Sequence, residues 1–434
     1  MISTAELVET ELRHAFLDVA TQLADKLCET AVWDGNQCSW NGLKPVVVNG
    51  TTRHMIRPLG IDFYTGSAGC LYFLSILSQV VPLASYQAVI RGAAKHSITR
   101  MDEIGTDLRC SFYSGWGGIA YALYEASQAL ADEVLREQSL QMLKTLAKRS
   151  PAKWSCDVLI GFSGLIGPLI HLYRRSGAAW LMRYAMRLGE ELIARARKTD
   201  AGWSWVPDGP LNHLHRDHLT GYAHGASGIA AALMELYSVT KEDRYVHGAG
   251  QAFQYEDGWL IEKMGNWLDL RYMAGPDGDT NDGKTCQIQW CHGAAGIGLT
   301  RLRAYEVTGD SQFCSAANVA LQTVCNDLDA FPDNWQPNFS LCHGVAGNCD
   351  LLLEGTRVLE EPRWRQQAER MGRLGIEKYA VPGISWPSSL GASEIPGLMT
   401  GFAGTGFFYL RLYENSVMPV TLVSADRAFS GNEK

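Results

Sequence analysis

The stretch "TCQIQWCHGAAGIG", Thr285 to Gly298, sets Trp290, Cys291, His292 and Gly293 in front of a run of small and apolar residues. Further on, "FSLCHGVAGNCD" repeats the theme with Cys342, His343 and Gly344, again followed by an Ala-Gly pair. Without their reactive residues, both are instances of a Gly-x-x-Gly frame that runs through the chain. It occurs at Gly66/Gly69, Gly115/Gly118, Gly161/Gly164, Gly225/Gly228, Gly293/Gly296, Gly344/Gly347 and Gly401/Gly404, with successive frames 46 to 68 residues apart. Self-similarity at this period marks an array of supersecondary units, each too small to bury its own apolar face.

Behind each glycine pair follows a run such as "GIAAALMELY" or "GFFYLRLY", apolar nearly all round as a buried helix is. Polar turns such as "SVTKEDRY" and "EVTGDSQF" come next, then a second helical pattern. Seven helical hairpins predict an all-α fold, an α/α toroid in which seven inner helices are ringed by seven outer ones. The glycines fall at the inner helix N-termini, where missing side chains let the chain turn sharply and the helices crowd. Ahead of the repeats, Leu12, Phe16, Val19, Leu23 and Leu27 step at helical spacing, and a Gly- and Pro-punctuated irregular arm follows. The expectation is one domain over 1–434, with an N-terminal helix and arm over 1–60 and the repeats over 61–422.

A chain of 434 residues, 46% of them hydrophobic, has ample material for a large core. It holds no export signal and no apolar run of membrane-spanning length, which predicts a cytoplasmic protein. A net charge of −8 without a basic stripe argues against nucleic acid or an anionic membrane as partner. Eleven scattered cysteines suit reduced thiols or metal ligands better than a disulfide framework.

If the frames are architecture, function belongs where they carry reactive residues. Three do so: the fourth has His224, the fifth Cys291 and His292, the sixth Cys342 and His343. In a closed ring the inner helix ends converge, so these distant positions become neighbours. Two thiolates with imidazole suit Zn2+, and the candidates are Cys291, Cys342 and His343, with His292 either a fourth ligand or a support. Trp154 and Trp290 are cavity wall or aromatic core. His213, His215 and His218 read as a solvated loop. The "GPDGDTNDGK" stretch lacks the glycine and glutamate that a calcium loop needs, and reads instead as a lid over the fifth frame.

These motifs resemble the lanthionine cyclase (LanC-like) family from about Asp62 to Leu422, and "SLCHGVAGNCDLLL" and "PGLMTGFAGTGFFYLRL" are most similar to the cyclase half of class II lanthipeptide synthetases. The resemblance implies zinc ligands at Cys291, Cys342 and His343, a catalytic histidine at His224 and a catalytic aspartate at Asp157. It implies a zinc-dependent cyclase that adds a cysteine thiol of a dehydrated precursor (leader-core) peptide to dehydroalanine or dehydrobutyrine. Some members place an arginine before the Trp-Cys element, where this chain has Gln287 and Gln289, so Arg271 or His292 is the expected substitute. No dehydratase half precedes the toroid, which points to a separate dehydratase partner or an excised half. Two alternatives keep the site: addition of a small thiol such as glutathione to dehydroamino acids, and a non-catalytic scaffold stapled by zinc. A glycosidase would want paired carboxylates in the frames, and they hold none.

Overall fold

The computed structural model describes residues 4–48, 51–206, 218–272, 286–331, 337–391 and 393–425. Its inner layer is α2 (Ser67–Val80), α4 (Trp116–Leu130), α6 (Ser163–Ser176), α8 (Ala226–Thr240), α10 (Ala294–Thr308), α12 (Val345–Leu359) and α14 (Phe402–Tyr413). Each packs on the next and α14 packs on α2, so the ring closes. The outer layer is α3 (Ala84–Arg100), α5 (Glu133–Ala147), α7 (Ala179–Arg195), α9 (Asp243–Asp257), α11 (Ser311–Asp329) and α13 (Pro362–Tyr379). The seventh outer place, against α14, is taken by α1 (Thr4–Thr30), the chain's first helix. Phe16, Val19, Leu23 and Leu27 of α1 are buried there, so the helix read as a lead-in completes the double barrel.

The frames behave as the glycines suggest. In six of the seven the first glycine is the helix N-cap; in the third the helix starts after Phe162. A Cβ on the second glycine would press into the carbonyl oxygen six residues earlier: 2.4 Å from that of Phe63 for Gly69, 1.9 Å from that of Trp290 for Gly296 and 1.9 Å from that of Leu341 for Gly347. The turn before each inner helix folds back against the helix's first turn, and only a hydrogen atom fits between them. At the far end, five inner helices pass to their outer partners through a left-handed residue: Ala131, Gly177, Lys241, Gly309 or Glu360.

Backbone bonds stitch the frame turns into a circle. Tyr64 N–H donates to Tyr113 O (2.9 Å), Leu159 N–H to Ala223 O (3.1 Å), Ala223 N–H to Cys291 O (3.1 Å), Cys291 N–H to Cys342 O (3.3 Å), Cys342 N–H to Met399 O (2.8 Å) and Met399 N–H to Tyr64 O (2.9 Å). Between the second and third frames the Ser111 and Ser114 hydroxyls donate to Leu159 O, at 2.7 and 2.9 Å. All seven turns therefore meet at one mouth of the barrel.

Two features differ from the sequence expectation. The arm forms two antiparallel hairpins, β1 (Val32–Asp34) with β2 (Gln37–Ser39) and β3 (Asn41–Val48) with β4 (Thr51–Pro58). After α14 the chain enters the ring: Val417, Val420 and Leu422 to Ala425 are buried. Val420 O accepts from Tyr113 Oη (2.7 Å), Thr421 O from Trp290 Nε1 (2.9 Å), and Thr421 Oγ1 donates to Asp350 Oδ2 (2.7 Å). Among the described residues, crevices of about 20 Å³ beside this plug have room for a water apiece.

Candidate metal centre and active site

Cys291, Cys342 and His343 come from the fifth and sixth frames, joined by the Cys291 N–H to Cys342 O bond. Their ligating atoms all lie within 4.8 Å of one another. With metal–sulfur and metal–nitrogen bonds of about 2.0–2.3 Å, one ion placed between them needs only small side-chain adjustments, and two sulfurs with one imidazole are a donor set that suits zinc. Both sulfurs are buried and His343 is half-buried. A hydrogen bond from Cys342 holds the Cys291 thiol down at about 5 against the effect of burial, with His343 and Arg271 helping. Burial, and then the neighbouring Cys291, push Cys342 well above the ordinary thiol value. A bound cation would displace a thiol proton here. All eleven cysteines are free.

His224 is carried by the fourth frame and Asp157 by the turn before the third. The imidazole Nδ1 and Asp157 Oδ2 form a buried, hydrogen-bonded ion pair. Burial disfavours the imidazolium, but the charge and hydrogen bond of Asp157 outweigh it, Cys291 adds to them, and His224 is raised above its ordinary value despite the opposing charge of Arg271. The second carboxylate oxygen of Asp157 accepts from Ile160 N–H at 2.8 Å, which fixes its direction. The ring of His292 stacks on that of His224, centroids 5.6 Å apart, so His292 lies on the side of the His224 pair. Arg271 is clamped to Asp269 through Nε (3.0 Å) and a terminal nitrogen (2.7 Å). Its charge reaches His224, Cys291 and Cys342.

Trp290 is turned the other way. It is fully buried between Tyr113 and Tyr222, both at 5.2 Å, and its indole nitrogen is held by the plug. It supports the floor under Cys291 and does not wall the mouth. His218 is also buried, with Nδ1 2.6 Å from Ser204 Oγ, so the solvated reading fails for it. His213, His215 and the "GPDGDTNDGK" stretch lie outside the described residues. Beside His343 opens a cleft of about 330 Å³ lined by Gln287, Gln289, Asn338 and Asn348 among others. Gln289 Oε1 is 3.5 Å from Cys291 Sγ; it occupies the place of the missing arginine with a neutral group.

Tyr64 was not among the expected site residues. Its hydroxyl donates to Cys342 Sγ at 2.6 Å. Burial and the neighbouring Cys342 keep the phenol protonated, well above its usual range. The clue was in the repeat register, since Tyr64 stands two residues before Gly66 as Cys291 and Cys342 stand two before Gly293 and Gly344.

Fold and site together define an α/α toroid with a soft Cys-Cys-His trio that could hold a metal ion and a hydrogen-bonded His-Asp pair at one mouth. The chain matches the lanthionine synthetase C-like protein family over residues 57–423 and belongs to it. It is 27% identical over 204 residues to the lacticin 481/lactococcin biosynthesis protein LcnDR2 of Lactococcus lactis subsp. lactis, which covers 45% of this chain and 21% of that one. It is 26% identical over 203 residues to the glutathione S-transferase LANCL1 of Danio rerio, 46% of this chain and 44% of that one. The matched region is thus less than half the length of either relative. Among solved structures, nisin cyclase superposes with a TM-score of 0.62 at 15% identity over 84% of this chain and 92% of that one. A GH76 α-mannanase of Bacteroides thetaiotaomicron does so at 0.51 and 10% identity, over 92% and 95%. These likenesses show the toroid; with a mannanase on the same fold, chemistry has to be argued from the site. Among the described residues no helix is long and apolar enough to cross a membrane.

Proposed function

We propose that the protein is a zinc-dependent peptide cyclase that closes lanthionine or methyllanthionine rings in a dehydrated precursor peptide. The observation that carries this is the trio Cys291, Cys342 and His343 on frames adjoining the buried His224–Asp157 pair. In the reaction a substrate cysteine sulfur bonds to Cβ of a dehydroalanine or dehydrobutyrine as the C=C π bond breaks. The electron pair moves onto Cα and its carbonyl as an enolate, and Cα then takes a proton. Zinc, when bound, would favour the thiolate form of the incoming cysteine near neutral pH, where a free thiol is mostly protonated.

The remaining work falls to side chains. Asp157 holds His224 through Nδ1 and keeps it charged, which leaves Nε2 to deliver the proton to Cα. Arg271 supplies positive potential for the enolate oxygen, the part that Gln287 and Gln289 cannot play. His292 braces the imidazole face. The thiol proton leaves to solvent and His224 is recharged from it, so the sum is an isomerisation. The precursor peptide, and a dehydratase that supplies it in dehydrated form, belong to this proposal.

Ring closure changes no mass, so the test is thiol capping followed by mass spectrometry of a dehydrated precursor, with and without enzyme. Protection from capping by the wild type, lost in Cys342→Ala and His224→Ala, is the expected result; equal capping in every arm refutes the proposal. The match to LANCL1, named a glutathione S-transferase, favours one second reading, in which the same site joins a small external thiol to the acceptor. Supplying glutathione to the same peptide separates the two: a mass gain of one glutathione marks the second, protection without mass gain the first.

A further inference from the structure

Position two before the first glycine of each frame is occupied around the ring by Tyr64, Tyr113, Leu159, Ala223, Cys291, Cys342 and Met399. Met399 links the sixth frame to the first: its carbonyl accepts from Cys342 N–H at 2.8 Å and its N–H donates to Tyr64 O at 2.9 Å. This double bond fixes the Tyr64 backbone relative to that of Cys342 and lets the phenol reach across Met399 to Cys342 Sγ, 2.6 Å away. Cys342 is only 2% exposed. A buried sulfur with anionic character is costly unless something donates to it, and Tyr64 is a rigid donor of the right length.

We propose that Tyr64 is a positioning residue for the metal centre, whose hydroxyl donates to the Cys342 thiolate and thereby sets that sulfur's direction and the electron density it gives to the ion. A donor of this kind draws charge from the ligand sulfur. It holds Cys342 as a ligand and keeps it from competing, as a nucleophile, for the electrophilic Cβ of the acceptor residue. The inference rests on the metal centre and not on which substrate is turned over. Groups that orient a ligand from behind are typically worth about 10–100-fold in metal affinity.

The test reads the metal directly. Zinc dissociation constants from chelator competition are compared for wild type, Tyr64→Phe and Tyr113→Phe. Tyr113 occupies the same register one frame on, and its hydroxyl is spent on Val420 O at 2.7 Å. Tyr64→Phe weakens zinc about 10–100-fold, and Tyr113→Phe leaves it unchanged. With Co2+ in place of zinc, the thiolate-to-cobalt charge-transfer band moves to lower energy in Tyr64→Phe, because the sulfur lone pair is no longer stabilised. Replacement of Tyr64 by 3-fluorotyrosine, which keeps the shape and donates more strongly, moves it the other way and covers the case in which the phenylalanine variant folds poorly. Coincident bands and equal zinc constants in all these proteins overturn the inference. Wild type that takes up neither ion overturns the metal centre with it, whereas failed ring closure by a zinc-loaded enzyme touches only the proposed function.

Discussion

Replacing Asp157 with asparagine keeps the shape of the His224 partner and the oxygen that accepts from Ile160 N–H, but removes the charge. The imidazole and carboxylate are 12% and 7% exposed, so solvent screens them little. At an effective dielectric near 20, unit charges about 4 Å apart interact by roughly 4 kcal/mol, and an opposite charge at contact shifts a pKa by about 1–3 units, or some 1.4–4 kcal/mol at 1.36 kcal/mol per unit. Burial is the largest influence on His224 and acts downward, and Arg271 acts with it. Without the Asp157 charge these prevail, and His224 drops below the ordinary 6.5. The sign has a stability counterpart. A raised folded-state pKa contributes stability that is whole below 6.5 and lost as pH climbs through the folded value, so wild type loses stability over that window and Asp157→Asn does not. The assay is an NMR titration of the His224 ring in zinc-loaded protein beside the pH profile of ring closure. The acidic form of His224 is the proton donor, so the alkaline limb of the profile moves down by about 1–3 units. A His224 that titrates at or above the wild-type value in the asparagine variant refutes this account of the pair.

Removal of a ligand and removal of the proton donor part company in metal content: by elemental analysis, Cys342→Ala purifies with little zinc, while His224→Ala keeps it and still fails to protect the substrate thiol. Gly296→Ala drives a Cβ to 1.9 Å from Trp290 O and, as overpacking, costs about 1–3 kcal/mol or more. Gly250→Ala, with nothing within 4 Å of the added carbon in α9, gains about 0.5–1 kcal/mol; urea unfolding of the pair tests whether the frame glycines are packing devices. Trp290→Phe leaves Thr421 O without its 2.9 Å donor and costs about 1–3 kcal/mol, read as a lower denaturation midpoint.

The linear chain already specified the repeats, because a glycine pair ahead of an apolar helix is a local requirement met seven times, and the clash of each second glycine with a carbonyl six residues back is local too. Cys291, Cys342, His343 and His224 stood out because they break that repeat with reactive side chains. Asp157 came only with the family resemblance, since an aspartate ahead of a helix is usually a cap, and here it does bond Ile160 N–H. Tyr64 shared the register of the cysteines yet went unseen, because a tyrosine in an aromatic-rich repeat has no chemical mark until the ring closes and brings the first frame within reach of the sixth. Ring closure also decided that α1 lies against α14, that the C-terminal segment fills the bore, and that Trp290 faces this plug and not the mouth. These are contacts between the two ends of the chain or across the barrel. Sequence periodicity encodes what a helix does to its own face and its next neighbour. Which distant surfaces meet depends on the accumulated rotation of the successive frames, and that exists only in the folded ring.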